Sequence, residues 1–91
     1  MNVKLIRYWV EFSFENYNDL PPGISMGCGV TAYTQDDAIR ILNEKVFKEK
    51  SMSQINKLIE NVDIRILDQN HVIPNMKTPT ERGVWFPVGY D

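Results

Sequence analysis

Few residues in this chain could do acid-base or nucleophilic chemistry, because the 91-residue sequence contains one Cys and one His. Thiol catalysis would need Cys28 and His71 to meet in space. Cys28 alternates with Met26 and Val30 in an apolar row, where a Cys usually packs as a small buried residue with an unactivated thiol. We therefore expect Cys28 to be structural, and the sequence identifies no catalytic residue.

His71 follows Asp68 and Asn70 and precedes Asn75, polar residues whose side chains could orient an imidazole or contact a ligand. A small-molecule site or a small enzyme would use His71 as acid or base and Arg82 as an anion contact. Asn, Asp and His also cap their own loops, so a purely local role for His71 is an open alternative. One His with carboxylates has no recognised metal-ligand spacing, and we expect neither a metal nor a cofactor.

Two other motifs have structural explanations. Asp36 and Asp37 stand at a predicted helix start, where carboxylates complement the helix dipole. The glycines at 27 and 29 lie within a predicted strand that leads into those carboxylates, which is the wrong context for a phosphate loop. Because lysines and glutamates alternate after residue 43 and the formal net charge is -2, we expect no nucleic-acid partner.

The aromatic residues are the strongest indication of function. They offer more large apolar surface than a small one-layer core requires, and an exposed aromatic patch usually marks a protein interface. The alternative is internal: the C-terminal segment would fold over the second face of the sheet and Trp9 would pack against Trp85. The candidate interface has anchors at Trp9, Trp85, Phe86 and Tyr90 and a polar rim at His71, Asn75 and Arg82.

Period-two alternation predicts strands over residues 4–14 and 24–33, separated by a Pro-rich loop over residues 15–23. Gly27 and Gly29 share the face of the second strand opposite its apolar row. We expect a bulky ring to approach the backbone there, with Trp9 as the candidate.

A helix is predicted from Thr34, whose side chain can cap it with Asp37 in a box-like position, to the lysines at 48–50. Residues 51–62 fit a short second helix, started by Ser51 or Ser53, and residues 62–66 alternate as a strand. A long loop over residues 68–82 follows. The last strand, residues 83–90, contains Pro87 and is therefore an edge strand or an extended tail.

This order of elements predicts one α+β domain over residues 1–91. A hairpin followed by a right-handed crossover through the helix places the third strand beside the first, in a small antiparallel sheet with the helix packed on one face. The charges among the first seven residues are unlike a signal peptide, and no stretch reaches membrane-spanning length. With a single Cys, a reducing, cytoplasmic location is expected, without membrane contact.

Two groups of residues resemble segments of small uncharacterised bacterial proteins of similar length. The first is Gly29-Val30-Thr31-Ala32-Tyr33 leading into Asp36-Asp37-Ala38, and the second is His71-Val72-Ile73-Pro74-Asn75-Met76 followed by Arg82-Gly83-Val84-Trp85-Phe86-Pro87. The resemblance covers most of the chain and implies a bacterial stand-alone domain, with no activity attached. The small acidic format is also similar to that of bacterial immunity proteins and antitoxins.

The sequence thus favours a non-enzymatic domain that binds another protein, including an immunity- or antitoxin-like inhibitor, or that self-associates as a homodimer through the same surface. The alternative is a small-molecule binder or small enzyme that uses the 68–82 loop around His71 and Arg82.

Overall fold

A four-stranded antiparallel sheet carries the structure. The computed structural model describes residues 4–13, 23–48 and 54–90. Its strands are β1 (Ile6–Phe12), β2 (Cys28–Ala32), β3 (Ile55–Glu60) and β4 (Gly83–Phe86). They lie in the order β3-β1-β2-β4, with every neighbouring pair antiparallel. The predicted α+β class and the edge position of β4 are confirmed. The strand beside β1 is formed by Ile55–Glu60 and not by the third strand predicted over residues 62–66.

Some predicted boundaries lie outside the described residues. They are Phe14 at the end of the first strand, positions 15–22 of the first loop, the helix end at positions 49–50, and the helix start at Ser51 or Ser53.

The helix α1 (Gln35–Ile41) begins where its capping residues predict. Thr34 Oγ1 accepts a hydrogen bond from the backbone N–H of Asp37 at 3.0 Å, and the Asp37 carboxylate accepts one from the N–H of Tyr33 at 3.0 Å. These bonds occupy N–H groups that a helix start otherwise leaves free. The helix continues as a π-helical segment over Leu42–Phe47, whose buried residues face the sheet.

The short helix predicted over residues 51–62 is wrong for its described part, because Ile55–Glu60 is strand β3. A bulge explains the misleading pattern: Glu11 pairs with Lys57 but Phe12 pairs with Ile55, so Asn56 is an extra residue. As a result Ile55 and Leu58 both pack toward the helix, although they are three positions apart. Such spacing is typical of a helix when the sequence is considered alone.

Two other predicted strand segments form 3-10 turns. The strand predicted over residues 62–66 is wrong, since Ile64–Ile66 is a turn whose start is capped by Asp63. The strand predicted to begin at residue 24 begins at Cys28, after a turn over Ile24–Met26. Gly27 has a φ of 122° and separates the two, a conformation that favours glycine.

The sheet buries side chains on both faces. The helix-covered face, beneath α1 and the π-helical segment, contains Tyr8, Val10, Phe12, Cys28, Val30, Ala32, Ala38, Ile41, Leu42, Val46, Phe47 and Val84. The turn-covered face, beneath the residues that follow β3, contains Trp9, Val62, Leu67, Val72, Trp85 and Phe86. The second face is therefore not solvated, although no α-helix among the described residues lies on it.

The 68–82 loop provides much of that second cover. Val72 is 1% exposed, and the Lys77 N–H donates to the Trp85 carbonyl at 2.8 Å. Thr31, a buried polar residue of β2, donates its hydroxyl to the Pro79 carbonyl. The length of the loop thus has a structural explanation, because it spans one face of the sheet. None of the helices in the described ranges is long and apolar enough to cross a membrane.

Candidate functional site

The predicted aromatic anchors form an internal cluster on the turn-covered face. The ring centroids of Trp9 and Trp85 are 6.1 Å apart, and those of Trp9 and Phe86 are 5.7 Å apart. A bulge in β4 brings the two neighbours together, since Phe86 pairs with Gly29 while Val84 pairs with Val30. Trp85 is the extra residue, and it joins Phe86 on one face of the sheet.

The glycines of this region make space for the rings. A Cβ at Gly27 would lie 2.7 Å from a ring carbon of Trp9, and one at Gly29 would lie 2.4 Å from ring carbons of Trp85. The close approach predicted at Gly27 and Gly29 is confirmed, with a second tryptophan beside the expected one.

The structure therefore follows the internal alternative for the aromatic residues. Trp9, Trp85 and Phe86 are 4%, 1% and 6% exposed, so their expected role as exposed interface anchors is corrected to a core role. Tyr90 is separate from them: it is partly buried against the helix-covered core, and this burial raises the pKa of its phenol.

Arg82, a predicted rim residue and anion contact, forms an ion pair with Asp37 of this chain. Its guanidinium donates two hydrogen bonds to Asp37, with Nε 2.9 Å from Oδ2, and it lies 5.7 Å from the ring centroid of Tyr33. The bonds from Arg82 are the main reason that the pKa of Asp37 falls to about 2. A role for Arg82 in binding an external anion is corrected to a structural one, since it ties the residue before β4 to the start of α1.

His71 belongs to a local network centred on Asp68. The Asp68 carboxylate accepts the N–H groups of Asn70 and His71, each at 2.8 Å, and lies 3.2 Å from His71 Nδ1. These backbone bonds lower the pKa of Asp68. Asn75 donates its side-chain amide to the His71 carbonyl at 2.9 Å. Loop capping, the local alternative, thus describes Asp68, His71 and Asn75, while the His71 side chain stays 68% exposed.

An open groove lies beside this network, with a volume of about 660 Å³. We call it the Met26 groove. It is formed where the turns Ile24–Met26 and Ile73–Asn75 meet the chain that leaves β4. Its lining residues are Gly23, Ser25, Met26, His71, Pro74, Asn75, Met76, Phe86, Pro87 and Val88.

The Met26 groove has a mainly apolar lining with a few polar groups. Met26 and Val88 are 38% and 58% exposed, two of the most exposed large apolar side chains in the described ranges. No Asp, Glu, Lys or Arg lines it. Ser25, His71 and Asn75 supply its polar groups, so the structure brings His71 and Asn75 to this groove, together with the edge of Phe86. Arg82 lines a different, smaller pocket.

Met26 and Val88 were absent from the sequence prediction of the site. Alternation assigned Met26 to the core row of the second strand, but the turn that precedes Gly27 directs it outward. Val88 follows Pro87, and a Pro that ends a strand is a weak signal that the next side chain leaves the sheet. Neither position could be placed in a groove without the tertiary contacts.

The arrangement lacks an activated nucleophile among the described residues. Burial raises the pKa of the Cys28 thiol to about 12, as expected for a structural Cys. Ser25 lines the groove with His71, but no hydrogen bond joins their side chains. Within the described ranges, no cluster of His, Cys, Asp or Glu could hold a metal ion.

Comparisons with protein-family models, with curated proteins and with solved structures find no match to this chain.

Proposed function

We propose that the protein is a non-enzymatic binding domain and that the Met26 groove receives an apolar, extended segment of a partner protein. The observation that carries this proposal is the convergence of exposed Met26 and Val88 on one groove. Water gains freedom when such side chains are covered, so their burial under a partner is favourable.

The shape and charge of the groove favour a protein segment over a small molecule. Small-molecule sites usually enclose most of the ligand, whereas this groove is largely open to solvent. Because no formally charged side chain lines it, an apolar segment enters without leaving a buried charge unpaired. Ser25, Asn75 and His71 are placed to bond the backbone of that segment at the rim.

An immunity- or antitoxin-like inhibitor is a narrower form of the same proposal, motivated by the small acidic format of the chain. A cytoplasmic location is proposed with it, since a chain with one Cys has no intramolecular disulfide framework.

The test is selection of binding peptides from a random display library with the full chain, followed by measurement of affinity by fluorescence polarisation. Val88→Asp places a charge in the groove, and Ile66→Asp is the matched control because Ile66 is 65% exposed and does not line the groove. We expect selected peptides with adjacent apolar side chains, whose affinity falls about tenfold or more with Val88→Asp and is unchanged with Ile66→Asp.

Equal losses in both variants, or no selected peptide, would contradict the proposal. Light scattering tests whether a second copy of this chain occupies the groove instead. A dimer that Val88→Asp dissociates and Ile66→Asp leaves intact would show that it does.

The alternative function, a small enzyme, is favoured by one observation: Asp68 and His71 form a carboxylate-imidazole pair, and His71 lines the groove. Such a pair can act as a general base when a substrate or nucleophile lies within hydrogen-bond reach of the imidazole. A hydrolytic activity on ester substrates that His71→Gln abolishes and Ile66→Asp, which lies outside the groove, preserves would support it over the binding function.

A further inference from the structure

Another pocket lies where β1 begins and β2 and β3 end. It has a volume of about 420 Å³, and we call it the Arg7 pocket. Its lining residues are Lys4, Leu5, Arg7, Thr31, Asn61, Pro79 and Thr80.

The sheet itself assembles this pocket around Arg7. Thr31 is the direct cross-strand partner of Arg7 in β2, and the Val62 N–H donates to the Arg7 carbonyl at 3.0 Å. Asn61, with a φ of 57°, turns the chain out of β3 at this point. The Thr31 hydroxyl bonds the Pro79 carbonyl, which brings the loop to the same place. Four separate parts of the chain therefore fix the walls of the pocket.

The charge of the Arg7 pocket is of one sign. Lys4 and Arg7 are its charged lining residues, and none of the lining side chains is a carboxylate. Within the described ranges, neither cation forms a hydrogen bond or an ion pair. This separates them from Arg65 and Arg82, which are both paired with an aspartate.

The Asp63 carboxylate lies outside the pocket and forms no ion pair with Arg7. The charge of Arg7 contributes to the lowered pKa of Asp63. The Asp63 oxygens, however, accept hydrogen bonds from Arg65, with Nη2 at 2.8 Å and Nε at 3.0 Å. Arg7 is half-buried, and within the described ranges no hydrogen bond or ion pair holds its guanidinium, so the group is available to an anion that enters the pocket.

We propose that the Arg7 pocket binds a phosphoryl group of a small molecule. Two cations without a carboxylate suit a compact dianion: the guanidinium donates in a planar fork, and the Lys4 ammonium adds a point charge. Asn61 and Thr80 line the same pocket with groups able to donate hydrogen bonds to the remaining oxygens. The site shares no lining residue with the Met26 groove, so it stands or falls independently of the proposed function.

The experiment is a titration of the full chain, followed by amide NMR shifts, with inorganic phosphate, pyrophosphate and glycerol phosphate as separate probes. Saturable shifts confined to Arg7, Asn61 and Thr80 and their neighbours are expected. Tighter binding of glycerol phosphate than of inorganic phosphate would identify an organic phosphate as the ligand, and the reverse would identify the free ion.

Arg7→Gln is expected to weaken binding about tenfold or more, since it removes the charge-assisted bonds. The matched control is Arg40→Gln, an exposed arginine of α1 outside the pocket, which should leave the affinity within about twofold. Equal weakening by both variants, or the absence of saturable shifts in the wild type, overturns the proposal.

If Arg7→Gln loses its fold by circular dichroism, Lys4→Gln and Thr80→Val take its place. Both residues are exposed, so their replacement is compatible with folding. Weaker phosphate binding in both variants supports the site, and unchanged binding in both overturns it.

Discussion

The helix-covered face and the turn-covered face of the sheet reach similar burial by different means. Under α1, the core consists mainly of aliphatic residues, and Phe12 and Phe47 make an edge-on contact with ring centroids 5.3 Å apart. On the other face, Trp9, Trp85 and Phe86 fill most of the space and short turns close over them. Large rigid rings allow a loop to form a core layer, because each ring buries as much area as two small aliphatic side chains.

The two faces also differ in the size of the side chains that the segment around β2 places on them. Gly27 and Gly29 remove side chains from the turn-covered face of the chain so that indole rings can lie on the backbone. On the helix-covered face the same segment keeps Cys28, Val30 and Ala32, all fully buried. This segment thus presents buried side chains on one side and bare backbone, on which the indole rings pack, on the other.

The largest effect is expected from Trp85→Ala, which tests whether the turn-covered face is a true core. Truncation of a buried tryptophan should lower the free energy of unfolding by about 3–5 kcal/mol, measured by urea denaturation. Trp85→Phe is the control: it keeps a ring and removes an indole N–H that has no hydrogen-bond partner in the described structure, so it should cost clearly less. A loss below about 1 kcal/mol for Trp85→Ala would mean that this face contributes little to stability.

Leu42→Ala makes the corresponding change beneath the helix. Leu42 is fully buried in the π-helical segment, and we expect a loss of about 2–5 kcal/mol in the free energy of unfolding. The exposed neighbour Asn43→Ala is the control, with a change within about 0.5 kcal/mol. If truncation is tolerated on one face and not on the other, the two faces do not contribute similarly to stability.

Gly29→Ala tests whether the Trp85 ring needs the bare backbone of Gly29. The added methyl meets the Trp85 ring, so overpacking should cost about 1–3 kcal/mol. In a Trp85→Leu background the same change should cost less, because the smaller side chain can shift away. Equal costs in both backgrounds, from a double-mutant cycle of urea titrations, would show that the ring does not oppose the methyl group.

The smallest effect is expected from the Arg82–Asp37 pair, which joins the two faces at the start of α1. Because the folded pKa of Asp37 is lowered to about 2, the pair stabilises the protein above the ordinary Asp pKa. This contribution is lost as the pH falls from about 4 toward 2. Both side chains are partly exposed, so solvent screening keeps the effect small.

Arg82→Ala should therefore be less stable than the wild type at neutral pH, with the difference fading in acid. Thermal unfolding across this pH range measures it, with Lys45→Ala as the control, because Lys45 is exposed and is not among the charges that act on Asp37. A difference that persists unchanged at the acid end would assign the effect to the stacking of Arg82 on Tyr33 instead.

Local signals predicted much of the helix-covered face. Alternation in β1, the Thr34 cap and the apolar stripe of α1 all depend on residues a few positions apart, and the structure confirms them. The prediction for β3 was wrong for an identifiable reason. In a strand that packs residues on both faces and contains a bulge, the apolar residues no longer recur at every second position.

The candidate site was predicted only in part. His71 and Asn75 lie on the Met26 groove as polar residues of the loop, but Met26 and Val88 join them through contacts between distant segments. The aromatic residues were singled out correctly as unusual, and their burial depends on whether anything covers the second face, which spacing along the chain does not show.

The α+β class, the helix start, the burial of Cys28 and the close approach at Gly27 and Gly29 can all be predicted from the order of residues. These follow from short-range chemistry: backbone sterics, capping bonds and the alternation of side chains. The core position of Trp9 and Trp85, the pairing of Arg82 with Asp37 and the set of exposed residues that share a groove are visible only in the folded protein. Each depends on long-range packing, where residues far apart in the chain compete for the same partner or the same space.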